Sequence, residues 1–275
     1  MLKQVSMKDY NSLNKSLWIK KKQVNIAIIG KYVELKDAYK SLDEALTHGG
    51  IENNVKVNLV RIDSEKLKVS EIKSKLKNIS GVLIPGGFGK RGTDGKIEAI
   101  KYARNNKIPF LGICYGMQMA IIEFARNKLN LRNATSSEFD KKGLPIIGLI
   151  NEWKKDGKTI QGTDKDLGGT MRLGSYDAKL KENSMINKIY KKNLIKERHR
   201  HRYEVNIAYK EKFEKNGMIF SGLSPDGELP EIIELRNHPW FIGVQFHPEF
   251  KSRPLAPHPL FSSFIKASKN HKWIV

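Results

Sequence analysis

The sequence predicts an α/β protein: an open, mostly parallel twisted sheet flanked by helices, with an antiparallel extension in its second half. Three observations carry this reading. Short apolar runs alternate with helix-like segments through the first half. Two of those runs end in glycine-flanked turns, Pro85-Gly86-Gly87-Phe88-Gly89 and Gly112-Ile113-Cys114-Tyr115-Gly116. Beyond the midpoint the runs become rich in Tyr, Thr and Val and lose helical spacing, as antiparallel strands do.

Residues 24–30 form a continuous apolar run, the pattern of a strand buried on both faces. A helix follows over 37–48, where Ala38, Leu42, Ala45 and Leu46 share one face and Gly49-Gly50 is expected to end it. A second strand is read at 55–60, a helix at 69–78, a third strand at 81–85, a helix at 92–106 and a fourth strand at 109–113. Strands are then expected within 169–176, 199–206, 218–223, 231–236 and 241–246, with a closing helix over 261–268. Residues 1–23 read as a leader or linker and 24–270 as one domain. In such sheets ligands gather beyond the carboxyl ends of the strands, where Gly86-Gly87 and Cys114 both fall.

The 275 residues include one cysteine, which excludes an internal disulfide and a multi-cysteine zinc site. No secretory signal and no bilayer-length apolar stretch is read, so a cytoplasmic location without membrane attachment is expected. The formal charge of +21 fits an anionic partner, nucleic acid or nucleotide phosphate, or lysines spread over solvated faces. The even spread of lysines favours the second, and no nucleic-acid partner is expected.

Cys114 stands between glycines at a strand-to-helix junction, the arrangement of a nucleophile elbow. A helix N-terminus aimed at the sulfur suits a reactive thiol, although a lone cysteine is more often a small core residue. The run Gln245-Phe246-His247-Pro248-Glu249 supplies the complement: His247 as base, and Glu249, two residues on, as its orienting acceptor. A structural histidine in a turn is the competing reading. The bare backbone of Gly86-Gly87 suits an oxyanion hole, with the amide of Tyr115 as second donor. A plain glycine turn and a phosphate loop compete, but neither phosphate-binding fingerprint is present.

These three motifs together resemble the class I, or triad, glutamine amidotransferases. The stretches 30–41, 166–174 and 197–206 are similar, more narrowly, to the glutaminase domains of the CTP synthase family. The resemblance implies a cysteinyl-thioester hydrolysis of L-glutamine to glutamate and ammonia. Cys114 would attack, His247 would move the proton, Glu249 would hold His247, and the amides of Gly87 and Tyr115 would bind the oxyanion. It also implies that Tyr115, Gly116, Met117 and Gln118 line the glutamine pocket, with Glu138 on the α-amino group and Arg202 on the α-carboxylate. Opposite charges at fixed places suit an amino acid, and arginine suits its planar carboxylate. Strand alternation through Arg198-His199-Arg200-His201-Arg202 would put the three arginines on one face, so a basic patch is the competing reading there. The 166–174 segment, with Arg172 available, resembles a mobile lid that contributes to GTP activation.

In that family an N-terminal synthetase domain binds UTP, ATP and magnesium and aminates UTP to CTP. Nothing like it is read before residue 24, so no cofactor or metal is expected in this chain, GTP being a possible allosteric activator. The synthetase domain, in cis or in trans, is the expected partner. Position 115 is Tyr where the family usually has Leu, and the larger ring is expected to narrow the pocket mouth. The alternatives are a stand-alone glutaminase or γ-glutamyl hydrolase, and a non-catalytic basic nucleotide-binding module.

Overall fold

Strands β1 (Gln23–Gly30), β2 (Lys56–Asp63), β3 (Gly81–Ile84) and β4 (Phe110–Ile113) alternate with helices in the first half. The computed structural model describes residues 22–149, apart from 32 and 34, and residues 171–271. The segment read as a leader, apart from Lys22 and Gln23, and the first part of the 166–174 stretch lie outside these residues. In β1, Val24, Ile26 and Ile28 pack on one face and Ala27 and Ile29 on the other, which is why this run shows no polar alternation. The valine and the isoleucines each contribute about 1.5–3 kcal/mol on full burial.

Helix α1 (Lys40–Glu52) follows a short 3₁₀ turn and buries Leu42, Ala45 and Leu46. It does not stop at Gly49-Gly50, as the sequence reading expects. A Cβ on Gly49 would lie 2.8 Å from the Phe261 carbonyl oxygen, and one on Gly50 2.7 Å from Val57 Cγ2. These glycines therefore permit close packing rather than a left-handed cap. The helix ends instead where the Asn53 side chain bonds the Gly49 carbonyl at 2.8 Å and Asn54 takes φ 53°. The helix read over 69–78 is shorter still: a 3₁₀ turn and α2 (Ile72–Lys75). Helices α3 (Thr93–Asn105) and α4 (Tyr115–Asn127) pack together, joined by a two-pronged bond from Arg104 to the fully buried Glu123 at 2.9 and 2.7 Å.

The second half adds β5 (Ala134–Ser136), β6 (Leu144–Leu149), β7 (Arg172–Leu180), α5 (Met185–Tyr190), β8 (Leu194–His201) and β9 (Tyr203–Val205). Then come α6 (Lys210–Lys215), β10 (Met218–Leu223), β11 (Pro230–Leu235), β12 (Phe241–Val244) and α7 (Pro259–Asn270). The main sheet has the order β2-β1-β3-β4-β12-β11-β10-β7-β8. Strands β2, β1, β3, β4 and β12 run parallel, and from β12 onward each neighbour is antiparallel. A smaller sheet joins β5, β6 and β9. One face of the main sheet is covered by α1 and α7, the other by α3 and α4.

Two consequences position the site. Strands β3, β4 and β12 are parallel neighbours at the centre, so their carboxyl ends bring three loops to one edge. Edge strand β8 alternates as its sequence suggests, with Arg198 and Arg200 exposed and His199 and His201 buried. Arg202 does not continue that exposed stripe. The strand ends at His201, and Arg202 sits half-buried in the bend before β9. Among the described residues, no helix is long and apolar enough to cross a membrane.

Candidate active site

Cys114 leaves the end of β4 with φ 51° and ψ −103°, a conformation that costs a non-glycine residue on the order of 1–3 kcal/mol. The close packing around it makes the turn possible. A Cβ at Gly112 would lie 2.7 Å from the Gly116 carbonyl carbon, and one at Gly116 2.2 Å from the Ile84 oxygen. Strand β4, helix α4 and strand β3 thus approach each other through bare backbone. The Cys114 amide donates to the Val244 carbonyl at 2.6 Å, which ties the elbow to β12. The sulfur sits in a residue only 4 % exposed.

His247 lies three residues beyond β12, and its amide donates to the Arg198 carbonyl at 2.8 Å. Pro248 opens a 3₁₀ turn that returns Glu249 to the ring, where its Oε1 meets His247 Nδ1 at 2.8 Å. The Phe250 ring stacks on the imidazole at 5.2 Å. Burial opposes a charged ring here, but the Cys114 sulfur and then the Glu249 carboxylate outweigh it and raise His247 from 6.5 to about 10. The imidazole therefore holds its proton at neutral pH.

Gly86 and Gly87 follow β3 and face this pair. A Cβ on Gly86 would come within 2.7 Å of His247 Cε1, whereas one on Gly87 meets nothing nearer than Tyr115 Cδ1 at 3.8 Å. We expect Gly86→Ala to push the imidazole off its line to the sulfur and lower turnover by about 10²-fold, while Gly87→Ala stays within a few-fold. Steady-state kinetics of the two variants, each checked for an unchanged melting temperature, measure the contrast.

A cavity of about 630 Å³ opens over these groups, and Gly87, Cys114, Gln118, Glu138, Arg202 and His247 line it. Glu138, in the turn after β5, and Arg202 put one acid and one guanidinium on its wall; Arg202 Nη1 is buried without a hydrogen-bond partner among the described residues. The run 115–118 contributes less than expected. The Tyr115 and Met117 side chains are 1 % and 0 % exposed and turn into the core, and Gly116 lies against Ile84; only Gln118 lines the cavity. The Tyr115 ring consequently does not narrow the mouth.

Two features carried no role in the sequence reading. Gln245 lies just beyond β12, and its side-chain amide donates to Cys114 Sγ at 3.7 Å. Its orientation follows from its neighbours: Gln118 Nε2 donates to the Tyr203 carbonyl at 2.8 Å and to Gln245 Oε1 at 3.3 Å, which leaves the Gln245 nitrogen for the sulfur. Arg172, read as available, is engaged. It bonds Glu204 at 3.0 Å and Glu231 at 2.7 Å, and His201 meets Glu204 at 2.6 Å. His199 beside them is held neutral, its value lowered to about 2 by burial, then by Arg172, His201 and His247. This ionic cluster lies behind the wall that His201 and Arg202 present to the cavity.

A cysteine on a strained elbow, a carboxylate-held histidine and a glycine loop thus meet at the adjoining ends of β4, β12 and β3. The chain belongs to the class I glutamine amidotransferase family, whose description, glutamine amidotransferase class-I, matches residues 34–267. It is 85% identical over 270 residues to CTP synthase of Pelagibacter ubique, covering 98% of this chain and 50% of that protein. It is 57% identical over 256 residues to CTP synthase of Zymomonas mobilis, covering 92% and 47% respectively. The chain spans about half the length of the curated relatives it matches and corresponds to their glutaminase part. A solved Trypanosoma brucei CTPS glutaminase domain with bound acivicin aligns at a TM-score of 0.80 and 36% identity, over 91% of this chain and 96% of that one.

Proposed function

We propose that this chain hydrolyses L-glutamine to glutamate and ammonia as the glutaminase half of a CTP synthase. The observation that carries the reading is the meeting of Cys114, His247 and Glu249 in one cavity with an acid, Glu138, and a guanidinium, Arg202, whose buried Nη1 has no partner among the described residues. Glutamine is the substrate those charges suit, its ammonium toward Glu138 and its carboxylate toward Arg202. The Cys114 sulfur attacks the side-chain amide carbon, and the carbonyl electrons pass to oxygen, toward the amides of Gly87 and Tyr115. As the tetrahedral centre collapses, the carbon–nitrogen bond breaks and His247 gives its proton to the leaving ammonia. Water, losing a proton to His247, then attacks the thioester; the carbon–sulfur bond breaks and glutamate leaves.

The ammonia serves amination of UTP to CTP by a synthetase half, which uses ATP and magnesium. Activation by GTP is part of the same reading. The hydrolysis itself uses the side chains above and water. Stoichiometric modification of Cys114 by acivicin, blocked by glutamine, tests nucleophile and pocket together. Modification that glutamine does not slow would sink the glutamine assignment.

The base also sets the pH response. His247 holds its proton up to about pH 10 in the folded chain, against 6.5 ordinarily. The stability drawn from the charged ring is therefore complete below pH 6.5 and is lost as pH rises through about 10. The proton for ammonia is lost over the same range. We expect the alkaline limb of kcat/KM near pH 10, moving toward neutrality in Glu249→Gln, as read from pH–rate profiles.

A further inference from the structure

The loop that carries Gly87 has few anchors of its own. Gly86 and Gly87 have no side chains to pack, and Phe88 is 64 % exposed. Gly89 takes φ 73°, in the left-handed region that favours glycine. Yet both polar groups of Gly89 are engaged by side chains from elsewhere. Its amide donates to Glu138 Oε1 at 2.6 Å, and its carbonyl accepts from the Tyr115 hydroxyl at 2.5 Å. Lys31 holds the Phe88 carbonyl next door.

We propose that Gly89 is the latch of the oxyanion loop and that the Tyr115 hydroxyl is its positioning residue. The inference rests on the glutaminase reading and deepens it. Tyr115 follows the nucleophile directly, and its own amide is the second oxyanion donor. A single residue therefore offers one donor from its backbone and fixes, through its side chain, the loop that offers the other. The distance between the two donors is set at one point of the fold rather than by a free glycine loop.

The tyrosine is built for this position. Its ring is 1 % exposed, Lys96 Nζ sits 5.7 Å over its face, and Lys96 is in turn held by Ser64 at 2.9 Å. Burial, and secondarily Glu138, keep the hydroxyl protonated well above its ordinary range, so it remains a donor. Glu138 joins latch and substrate: one carboxylate oxygen takes the Gly89 amide, leaving the other for an ammonium group.

Tyr115→Phe keeps the ring and removes the bond. Hydrogen exchange of the 86–91 peptide should quicken by about three- to tenfold, with the rest of the chain unchanged. Turnover of glutamine should fall by a similar factor while KM stays within about twofold, since the loop acts on the transition state. Unchanged exchange in 86–91 would overturn the latch, as would a rise in KM at constant turnover, which would make Tyr115 a pocket residue. The exchange readout does not need glutamine turnover. Faster exchange in a protein that never hydrolyses glutamine would leave the latch standing and remove the glutaminase reading.

Discussion

Cys114→Ser is expected to abolish glutamine hydrolysis while leaving the fold in place. The loss should be on the order of 10⁴-fold or more, the scale seen when a triad loses its nucleophile. Two physical effects add. A serine hydroxyl is far less ionised than a thiol at neutral pH, so the attacking species is scarce. The sulfur is also the largest favourable influence that keeps His247 charged, so its removal lowers the base toward its ordinary range and disturbs the proton donor as well. The structural cost is small by comparison. The residue is 4 % exposed, and a hydroxyl left poorly satisfied there costs about 1–3 kcal/mol. Ammonia and glutamate release, with a melting curve as control, measure both quantities. Because the chain has one cysteine, loss of electrophile labelling by intact mass reports the same atom without ambiguity. Hydrolysis at the parental rate in Cys114→Ser would remove Cys114 from the mechanism.

The parts of this site that sequence alone revealed share a property: each is a short run at the end of a buried parallel strand. The runs ending in Gly86-Gly87, Cys114 and His247 are continuous in the chain, and the strands that carry them, β3, β4 and β12, are uniformly buried. Apolar runs and glycine spacing therefore expose both the strand and the group it delivers. What stayed hidden depends on partners far along the chain. Gly49-Gly50 resembles a helix stop until Phe261, more than 200 residues away, shows why the backbone must be bare. Tyr115 was given to the pocket by the resemblance, and its bond from the start of α4 to Gly89, in a separate loop, shows in neither run. Gln245 sat within a recognised motif, but its role needs the amide orientation imposed by Gln118 and Tyr203.

The antiparallel half was readable as strands and not as an architecture. Strands β5 and β6 were missed, because β5 is only three residues long and β6 interrupts its apolar run with Pro145 and Gly148. In β8 the alternation was visible, yet which face is buried depends on groups that other strands supply: Arg172 of β7, Glu204 of β9 and Glu231 of β11. The histidine face is inward because His201 and Arg172 have buried carboxylates to meet there. A charge-rich strand at a sheet edge gives the same composition whether its acids and bases are solvated or paired inside.

That buried pairing carries the second large expectation. Glu204 and Glu231 are both fully buried, and Arg172 is the guanidinium that bonds them both, at 3.0 and 2.7 Å. Even with Arg172 present, burial raises Glu231 from 4.5 to about 7. Arg172→Met would leave two buried carboxylates facing each other with no guanidinium, the case in which breaking an ionic cluster costs about 3–5 kcal/mol. The sign with pH follows from the same groups. Without Arg172, Glu231 rises further above its unfolded value near 4.5, and Glu204 loses one of the two groups that hold it down, His201 being the other, so the folded form holds proton that the unfolded form releases. Stability then falls as pH climbs above 4.5 toward the raised value. The deficit against the parent should be smallest near pH 5 and largest near pH 8, read from urea midpoints at the two pH values. Arg172→Met combined with Glu231→Gln should recover part of the loss at pH 8, since a neutral amide replaces one uncompensated charge. A deficit independent of pH would mean that Arg172 stabilises β7 through the packing of its stem alone, including the guanidinium stacked 4.6 Å from the Tyr176 ring.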